Sequence, residues 1–478
     1  MPTVLQAAAR AFAVVPAVGD PTEGRTGAAV LEVVGDLKST AVLFEDGPRR
    51  LLWVTWPAET EIEEMRLAIE ATAAERLGLS AAEVVIVSSH NHCAPMFVEN
   101  GTSAWRRPAG APALGRLNPL GRAFIAELAR ALEGLRQELV PVAVEWGRAR
   151  EERITFNRKG RRANGSAYLI REEDRLLLGE NYLGEIDPDA TVVVLRGPSG
   201  RPVAALAHFT GHPVSAYNPE RPIAFGEWPQ VACEKLAAHL GAPVAFLQGC
   251  AGDIGSKYML TGTVAQSREL GGYLGDAFIR ALDSLRPSTR RDFRHRRVPV
   301  AIPLADLPAE ASIRKDLAEI DAFIRRGHAG DEDTLACVGM NFPRAVSPLY
   351  RARLVEMVRP WHVWALGVHQ AGRVGQGPKF LPVEIEVARF GDVGFVGMPF
   401  ETFVRTGLKI KREAPLPCVL ACGYTRVEGG YIPDAEGCAD REYMSGFYRY
   451  TPDWPPFRPP AGDAMAIAGV AVLRELSA

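Results

Sequence analysis

Apolar and polar positions follow two periods along most of the chain, one typical of buried strands and one of amphipathic helices. Short continuous apolar runs, typical of strands buried on both faces, lie at 51–56, 83–89, 190–197 and 241–249. Segments with helical spacing lie between them, at 61–78, at 124–135 and at 264–285. This alternation predicts an α/β fold of mixed sheets covered by helices.

Three further patterns refine this prediction. The helix at 61–78 is marked by Ile62, Met65, Ile69 and Leu77 on one face. The segment 381–398 alternates and then turns apolar around Gly391, which predicts a hairpin with one strand more buried than the other. No fixed-period repeat and no internal boundary are visible, so a single domain over 1–478 is expected.

The bulk composition excludes several classes of function. Lys plus Arg total 55 and Asp plus Glu total 57, so nothing favours nucleic acid or an anionic membrane as a partner. No apolar stretch reaches transmembrane length, which predicts no stable membrane insertion. The N-terminal residues lack a charged segment before an apolar core, so no signal peptide is expected.

The cysteines favour a reducing compartment. Seven of them are scattered along the chain, at positions 93, 233, 250, 337, 418, 422 and 438. The odd number and the absence of a CxxC pair argue against a disulfide framework and a structural zinc knuckle. A cytoplasmic location is therefore expected.

The segment "VVIVSSHNHCAPMF" (84–97) carries the first candidate chemistry. His90 and His92 follow an apolar strand, and in an extended segment residues i and i+2 point to the same face. Two imidazoles directed at one point are what a metal site requires. The alternative, a histidine pair held by backbone partners, stays open at this stage.

Other strand ends carry similar residues. His212 follows a strand that breaks at Gly211, whereas His208 lies within that strand and is expected in the core. Glu401 follows Pro399 and is expected at the start of a helix. Because α/β sheets bind ligands at strand ends, these residues together predict an active site there.

Several familiar motifs are absent or weak. A third strand ends in Gly249, Gly252 and Gly255 with Asp253 among them, and glycines there let backbone N–H groups approach a ligand. The chain contains no GxGxxG, no GKS or GKT and no GxSxG, which argues against a nucleotide-phosphate loop and a serine α/β-hydrolase.

Six short motifs, in chain order, resemble those of neutral (non-lysosomal) ceramidases and their bacterial relatives. They are His90-Asn-His92-Cys-Ala-Pro95, Asn157-Arg158, Gly211-His212-Pro213, the Gly-Asp turn in "QGCAGDIG", Pro399-Phe400-Glu401, and Tyr431-Ile-Pro433 with Tyr448 downstream. No single motif is specific, but the order agrees over about residues 10 to 478.

The resemblance implies a mononuclear zinc amidase with that family's catalytic-domain fold. The implied Zn²⁺ ligands are His90, His212, Glu401 and Tyr431. His92, Arg158 and Tyr448 would line the site and hold the substrate carbonyl or the developing oxyanion. Zinc accepts nitrogen and carboxylate ligands and lowers the pKa of a bound water, and cationic or phenolic donors stabilise a tetrahedral anion.

Three departures from that family shape the expected substrate. Ceramidases proper place a serine just after the Gly-Asp turn, where this chain has Gly255 followed by Ser256. The chain is also expected to lack the family's C-terminal β-sandwich and its signal peptide. These differences favour a cytoplasmic relative that hydrolyses a smaller, more soluble amide.

Competing functions remain open from the sequence. A metal-dependent esterase, lactonase or phosphoesterase would use the same polarisation, and a degenerate relative would bind a ligand without turnover. A Cys93 or Cys250 nucleophile with His92 as base is a further, less favoured alternative. The expected partner is a small-molecule amide. The roles of Glu227 and Asp253 and the formation of a homo-oligomer are left open.

Overall fold

The structure is a computed structural model that describes residues 4–22, 28–59, 63–99, 116–179, 181–260, 262–426, 429–451 and 453–478. The first two residues of the helix expected at 61–78, including Ile62, lie outside these ranges.

The strands of the described ranges are numbered in chain order. They are β1 (Gln6–Val14), β2 (Glu32–Val33), β3 (Leu37–Asp46), β4 (Arg49–Trp56), β5 (Val84–Ser88), β6 (Val140–Pro141), β7 (Ala143–Arg150), β8 (Thr155–Asn157), β9 (Lys159–Arg161), β10 (Ala167–Leu169), β11 (Asp189–Arg196), β12 (Pro202–Phe209), β13 (Ile223–Ala224), β14 (Val244–Gln248), β15 (Ile254–Ser256), β16 (Arg286–Pro287), β17 (Phe293–Pro303), β18 (Ala336–Cys337), β19 (Met340–Asn341), β20 (Phe380–Phe390), β21 (Val393–Gly397), β22 (Glu401–Thr402), β23 (Cys418–Cys422) and β24 (Tyr431–Ile432).

The α-helices of the same ranges are numbered likewise. They are α1 (Glu63–Leu77), α2 (Pro119–Leu132), α3 (Glu172–Leu178), α4 (Glu227–Leu240), α5 (Val264–Leu282), α6 (Glu310–His328), α7 (Pro348–Glu356), α8 (Arg359–Gln370), α9 (Val404–Glu413) and α10 (Asp463–Ser477). None of these helices is long and apolar enough to cross a membrane.

Three units of the same topology organise the larger sheets. Each unit begins with two antiparallel strands, and its third strand is antiparallel to the second. A helix follows, and the fourth strand is parallel to the third. The strand orders are β1-β3-β4-β5, β7-β11-β12-β14 and β17-β20-β21-β23, with α1, α4 or α9 before the fourth strand. The sequence shows no fixed-period repeat, so this repetition is visible only in the topology.

The three sheets share one apolar core. Trp53 of β4, Leu206 of β12 and Phe395 of β21 lie in a single buried cluster, each at 1% exposure or less. Separate apolar clusters pack α1 and α2 on the first sheet, α4 and α5 on the second, and α10 on the third. The sheets are therefore buried on both faces, as their continuous apolar runs predict.

The ends of the fourth strands meet at one edge. Val87 of β5 bridges Thr425, just after β23, and Gly249, just after β14, bridges Cys422 of β23. Because each fourth strand is parallel to its third, both strands of every unit end on this side. The loops that follow them therefore converge.

The structure confirms the expected α/β fold of mixed sheets covered by helices. The apolar runs form β4, β5, β11 and β14, and the hairpin around Gly391 is β20 and β21. The segment 305–370, for which the sequence analysis makes no prediction, contains α6, α7 and α8 and contributes a wall of the candidate site.

Candidate metal centre

The candidate centre lies where loops of all three units meet. His90 and His92 follow β5, His212 follows β12, and Glu401 follows β21. The three histidines form a group whose candidate ligand atoms lie within 4.8 Å of one another. The structure thus brings together residues that are widely separated in the chain.

Three atoms, His90 Nε2, His212 Nε2 and Glu401 Oε2, lie within 3.2 Å of one another, and His92 Nε2 lies beside them. The Nε2 atoms of His90 and His212 are 2.9 Å apart, and His92 Nε2 is 3.2 Å from His90 Nε2. Glu401 Oε2 lies 3.2 Å from both His90 Nε2 and His212 Nε2. His90 and His212 are each 1% exposed, so the group is enclosed in protein.

The sequence analysis expects His90 and His92 to converge because residues i and i+2 of an extended segment point to the same face. The structure shows a different cause. Strand β5 ends at Ser88, and His90 adopts a left-handed conformation with φ of 59°. A non-glycine residue rarely adopts this conformation, and such strain is common at functional sites. The left-handed turn, not strand alternation, brings the two rings to one point.

Each histidine has an oxygen at its other ring nitrogen. His90 Nδ1 is 2.6 Å from the Glu59 carbonyl and His212 Nδ1 is 2.9 Å from the Ala251 carbonyl. His92 Nδ1 is 3.3 Å from the Glu59 carboxylate. Because a carbonyl can only accept, Nδ1 carries the proton in His90 and His212, and their Nε2 lone pairs face the common point.

The sequence predicts Glu401 at the start of a helix, and this prediction is wrong. It lies in the short strand β22, which pairs in parallel with β24 so that Glu401 faces Tyr431. The loop after β14 passes closely here, since Gly252 N–H donates to the Thr402 carbonyl. A Cβ on Gly252 would lie 2.3 Å from the Glu401 carbonyl oxygen, so this position requires glycine.

Tyr431 and Arg158 complete the polar side of the centre. Tyr431 OH lies 3.3 Å from His212 Nε2 and accepts a 2.8 Å hydrogen bond from Arg158 Nη2. The same Nη2 donates to the Gly252 carbonyl at 2.8 Å. Within the described ranges, no carboxylate forms an ion pair with Arg158, and its buried Nε has no hydrogen-bond partner.

Electrostatics keep the cluster ready to bind a cation. Burial, reinforced by the neighbouring Arg158 charge, lowers the pKa of His212 to about 3 and keeps its imidazole neutral. Burial raises the pKa of Tyr431 well above its usual value, with Arg158 opposing that shift.

The donor set fits a metal ion. Zinc with bonds of 2.0–2.1 Å would place tetrahedral ligand atoms about 3.3 Å apart. The 2.9–3.2 Å separations among His90 Nε2, His212 Nε2 and Glu401 Oε2 are close to that value. Lone pairs directed at one another are repulsive unless a proton or a cation lies between them.

A cavity that is open to solvent adjoins this cluster. His92, Arg158, His212 and Tyr431 form its polar end. Most of the remaining wall is apolar and comes from four segments of the chain: Leu169, then Val214, then Met259 and Leu260, and then Phe342, Pro343, Val346 and Leu354. Such a cavity suits a ligand with a polar group at the cluster and an apolar body.

Tyr448 is placed elsewhere than the sequence predicts. Its ring packs against Trp361 with 5.1 Å between ring centroids. Among the described residues, the tyrosines that line the cavity are Tyr217, Tyr350, Tyr431 and Tyr443. Tyr443 lines the cavity, and its ring centroid is 5.4 Å from that of Tyr431.

Gly255 and Ser256 lie on opposite sides of β15. A Cβ on Gly255 would approach Met259 and Arg158, both of which line the cavity, at 3.4–3.5 Å. The Ser256 hydroxyl is buried and donates instead to the Tyr258 carbonyl at 2.9 Å. Ser256 therefore does not replace a serine at position 255.

The cysteine-nucleophile alternative loses support. Burial raises the pKa of the Cys93 and Cys250 thiols well above the ordinary value, which disfavours thiolate formation. Cys93 Sγ donates to Glu227 at 3.6 Å, and Glu227 also accepts from Ala216 N–H and the Ser267 hydroxyl. Glu227 thus joins the loops that follow His92 and His212.

Asp253 holds the backbone that follows Glu401. Its carboxylate accepts a 2.7 Å hydrogen bond from Val404 N–H, at the start of α9, and a 3.0 Å bond from Asn157 Nδ2. Burial raises its pKa to about 6. The Gly-Asp turn therefore fixes the segment that carries Glu401.

Sequence reasoning missed Glu59, Tyr424 and Tyr443. Tyr424 follows β23 by two residues, as His90 follows β5, and also has a positive φ of 52°. Its ring lies against His90 with 4.3 Å between centroids. A signal was present for Glu59, because it follows the apolar run at 51–56 as Glu401 follows its own strand.

Comparison with solved structures shows a ceramidase-like fold. The neutral ceramidase from Pseudomonas aeruginosa matches with a TM-score of 0.63 and 17% identity, covering 99% of this chain and 75% of that one. A ceramidase complexed with C2 matches with a TM-score of 0.65 and 16% identity over the same shares. No family model and no curated sequence matches the chain. At this identity the likeness shows the fold and not membership of the family.

Proposed function

We propose that this protein is a zinc-dependent hydrolase that cleaves an amide bond in a small N-acyl substrate. The observation that carries the proposal is the convergence of three imidazole Nε2 atoms and the Glu401 carboxylate beside an apolar cavity. The ceramidase-like fold supports amide over other bonds, because the two solved neighbours are ceramidases.

His90, His212 and Glu401 would hold the metal, with Tyr431 as the fourth ligand. When bound, zinc supplies Lewis-acid polarisation of the carbonyl and a water of lowered pKa. To serve as a ligand Tyr431 would have to release a proton, because its hydroxyl is protonated in this environment and accepts a hydrogen bond from Arg158.

Arg158, Tyr443 and His92 would supply the remaining catalytic functions. The Arg158 guanidinium, buried without a carboxylate partner in the described ranges, suits an anion that develops on the substrate oxygen. Tyr443 at the cavity wall would add a phenolic donor in place of Tyr448. His92 faces both the cluster and the cavity, where its Nε2 can accept a proton from water or return one to the leaving amine.

The cavity indicates where the acyl group would lie. Its walls are apolar away from the cluster, so the acyl chain would extend toward Phe342 and Leu354 while the carbonyl stays at Arg158. The seven cysteines are all free, which supports a reducing compartment, and the cytoplasm is the proposed location.

The test is a substrate panel on the zinc-loaded protein. Acetyl, hexanoyl and palmitoyl amides would be compared with their matched esters, with the released acid measured by mass spectrometry. We expect amide turnover that is lost after chelation and in His212→Ala. Turnover of esters alone would favour the esterase alternative. Bound ligand without any product would favour a binding protein.

A further inference from the structure

Tyr350 of α7 brings a phenolic hydroxyl without a protein partner to the cavity. The residue lines the cavity and is 3% exposed. Its backbone N–H donates to the Ser347 hydroxyl, but among the described residues none hydrogen-bonds to its phenolic oxygen. That oxygen is not one of the fully enclosed polar atoms that lack a partner, so its small exposed area faces the cavity.

The other uncharged polar side chains of the cavity are placed differently. Asn341 uses both side-chain atoms on the Leu169 backbone, where Nδ2 donates to the carbonyl at 2.8 Å and Oδ1 accepts from the N–H at 3.2 Å. The ring centroids of Tyr217 and Tyr443 lie 5.1 and 5.4 Å from rings of the candidate metal centre. Tyr350 instead belongs to the wall at 341–354.

The backbone around Tyr350 is firmly held. Ser347 caps α7 by accepting a 3.2 Å hydrogen bond from Tyr350 N–H. The next residue, Arg351, is fully buried and donates at 3.0 Å to the carbonyls of Val346 and Glu332. A hydroxyl carried by such a fixed element can distinguish where along a ligand its partner group lies.

Packing does not require this hydroxyl, because a phenylalanine ring would fill the same space. In the empty cavity water can satisfy it, but a purely apolar ligand would displace that water and leave the hydroxyl unpaired. The lining residues at 341–354 carry no charge, so an ionised ligand group would lack a counter-charge there. An uncharged hydroxyl or oxo group suits this wall best.

We propose that Tyr350 is a specificity-determining residue that hydrogen-bonds a hydroxyl or oxo group on the acyl chain, so that the preferred substrate is the amide of a hydroxy or oxo acid. The link to a substrate rests on the proposed function, in which the acyl chain extends toward Phe342 and Leu354 of the same wall. Binding of the acyl chain itself requires no turnover and can be measured separately.

Calorimetric titration of the full-length protein tests the proposal. The ligands would be octanoic acid and a set of octanoic acids that each carry one hydroxyl at a different carbon. In the wild type we expect one position of the hydroxyl to give about tenfold tighter binding than the others, the effect of one hydrogen bond. In Tyr350→Phe that preference should disappear, while octanoic acid binds at least as tightly as before.

Two control variants separate hydroxyl recognition from general effects. Leu354→Ala should weaken binding of all the acids by a similar factor, because it removes apolar wall whatever the hydroxyl position. Tyr273→Phe removes a surface hydroxyl that donates to Glu269 at 2.6 Å, and it should leave every affinity unchanged. An unfolding curve for each variant establishes that it is folded.

Three results would overturn the proposal. In the first, the wild type shows no preference for any hydroxyl position, a result that does not depend on how the variants fold. In the second, the preference persists in folded Tyr350→Phe. In the third, none of the acids binds, so the acyl chain lies elsewhere. A positional preference in a protein that hydrolyses no amide would instead contradict the proposed function and leave the role of Tyr350 in binding supported.

Discussion

Two buried histidines four residues apart lie in opposite kinds of polar cluster. His208 is within β12 and belongs to a cluster with Asp187 and Lys411, while His212 lies in the loop beyond that strand and belongs to the candidate metal centre. Both are at most 1% exposed. Burial alone therefore does not distinguish a structural histidine from a candidate ligand.

The His208 cluster balances its own charges. Lys411 Nζ lies 2.6 Å from Asp187 Oδ2 and 3.5 Å from Asp189 Oδ2, and His208 Nε2 lies 3.1 Å from the Ala421 carbonyl. Burial and the nearby Lys411 charge lower the pKa of His208 to about 4, so it is neutral. Its Nε2–H donates to the Ala421 carbonyl, and among the described residues its buried Nδ1 has no hydrogen-bond partner.

At the metal centre the hydrogen-bonding direction is reversed. There Nδ1 faces the backbone acceptor in His90 and His212, and the Nε2 atoms face one another and Glu401. A candidate metal site is thus indicated by several acceptor atoms that are directed at one point and have too few donors to pair with. Substitutions that change one of the two clusters at a time test this distinction.

The largest contrast is expected between the two histidines. His212→Ala should lose bound zinc and all hydrolysis while its unfolding transition is retained. His208→Ala should keep one zinc and lose about 2 kcal/mol of stability, because it removes a buried hydrogen bond to the Ala421 carbonyl and empties the space that the ring fills. Elemental analysis and urea denaturation would measure both. Equal zinc loss in the two variants would remove the contrast.

The carboxylates of the two clusters provide the next comparison. Glu401→Gln should weaken zinc binding by at least about 100-fold, beyond the effect typical of outer-shell partners. Asp187→Asn should leave zinc affinity unchanged but destabilise the fold by about 3 kcal/mol, since Lys411 stays buried with a weakened partner. Competition with a fluorescent chelator reads the affinity. Unaltered affinity in Glu401→Gln would argue against its ligand role.

Tyr443 and Tyr448 should differ by a smaller amount. Tyr443→Phe is expected to lower kcat/KM about tenfold by removing one donor at the cavity, a loss equal to roughly 1.4 kcal/mol. Tyr448→Phe, next to Trp361, should change it less than about twofold. Steady-state kinetics with the amide that the wild type hydrolyses fastest would measure kcat/KM for both variants. A larger effect from Tyr448→Phe would restore the role that the sequence predicts for it.

The smallest effects should come from the glycines after β14. Gly255→Ala should change stability by less than about 1 kcal/mol and leave zinc binding intact, because its Cβ has ordinary contacts. Gly252→Ala should weaken zinc binding, because its Cβ would displace the Glu401 backbone. Isothermal titration of zinc into both variants checks the pair. Similar affinities would show that the close approach at Gly252 is unimportant.

The sequence predicted the strands and the clustered residues better than the way they meet. Continuous apolar runs identify buried strands directly, and His90, His92, His212 and Glu401 each follow one. The left-handed turn at His90 and the pairing of β22 with β24 depend on contacts between distant segments. Local patterns carry no information about such contacts.

Other parts could not be foreseen for specific reasons. Tyr448 and Tyr443 lie in the same Tyr-rich segment, and only the packing of Trp361 on Tyr448 separates them. The cavity wall at 341–354 precedes and includes part of α7, for which the sequence analysis makes no prediction. The neighbouring helix α6 does show helical spacing, in the buried residues Ile313, Ile320 and Phe323. The shared topology of the three units has no counterpart in a fixed-period repeat of the sequence.

The most direct test of the central claim is the metal content of the purified protein. Elemental analysis of the wild type, of His208→Ala and of His212→Ala, each dialysed against trace zinc, would be combined with an unfolding curve for each. We expect about one zinc per folded chain in the first two proteins and none in the third. A folded wild type that takes up no zinc would contradict the metal centre and with it the proposed hydrolase.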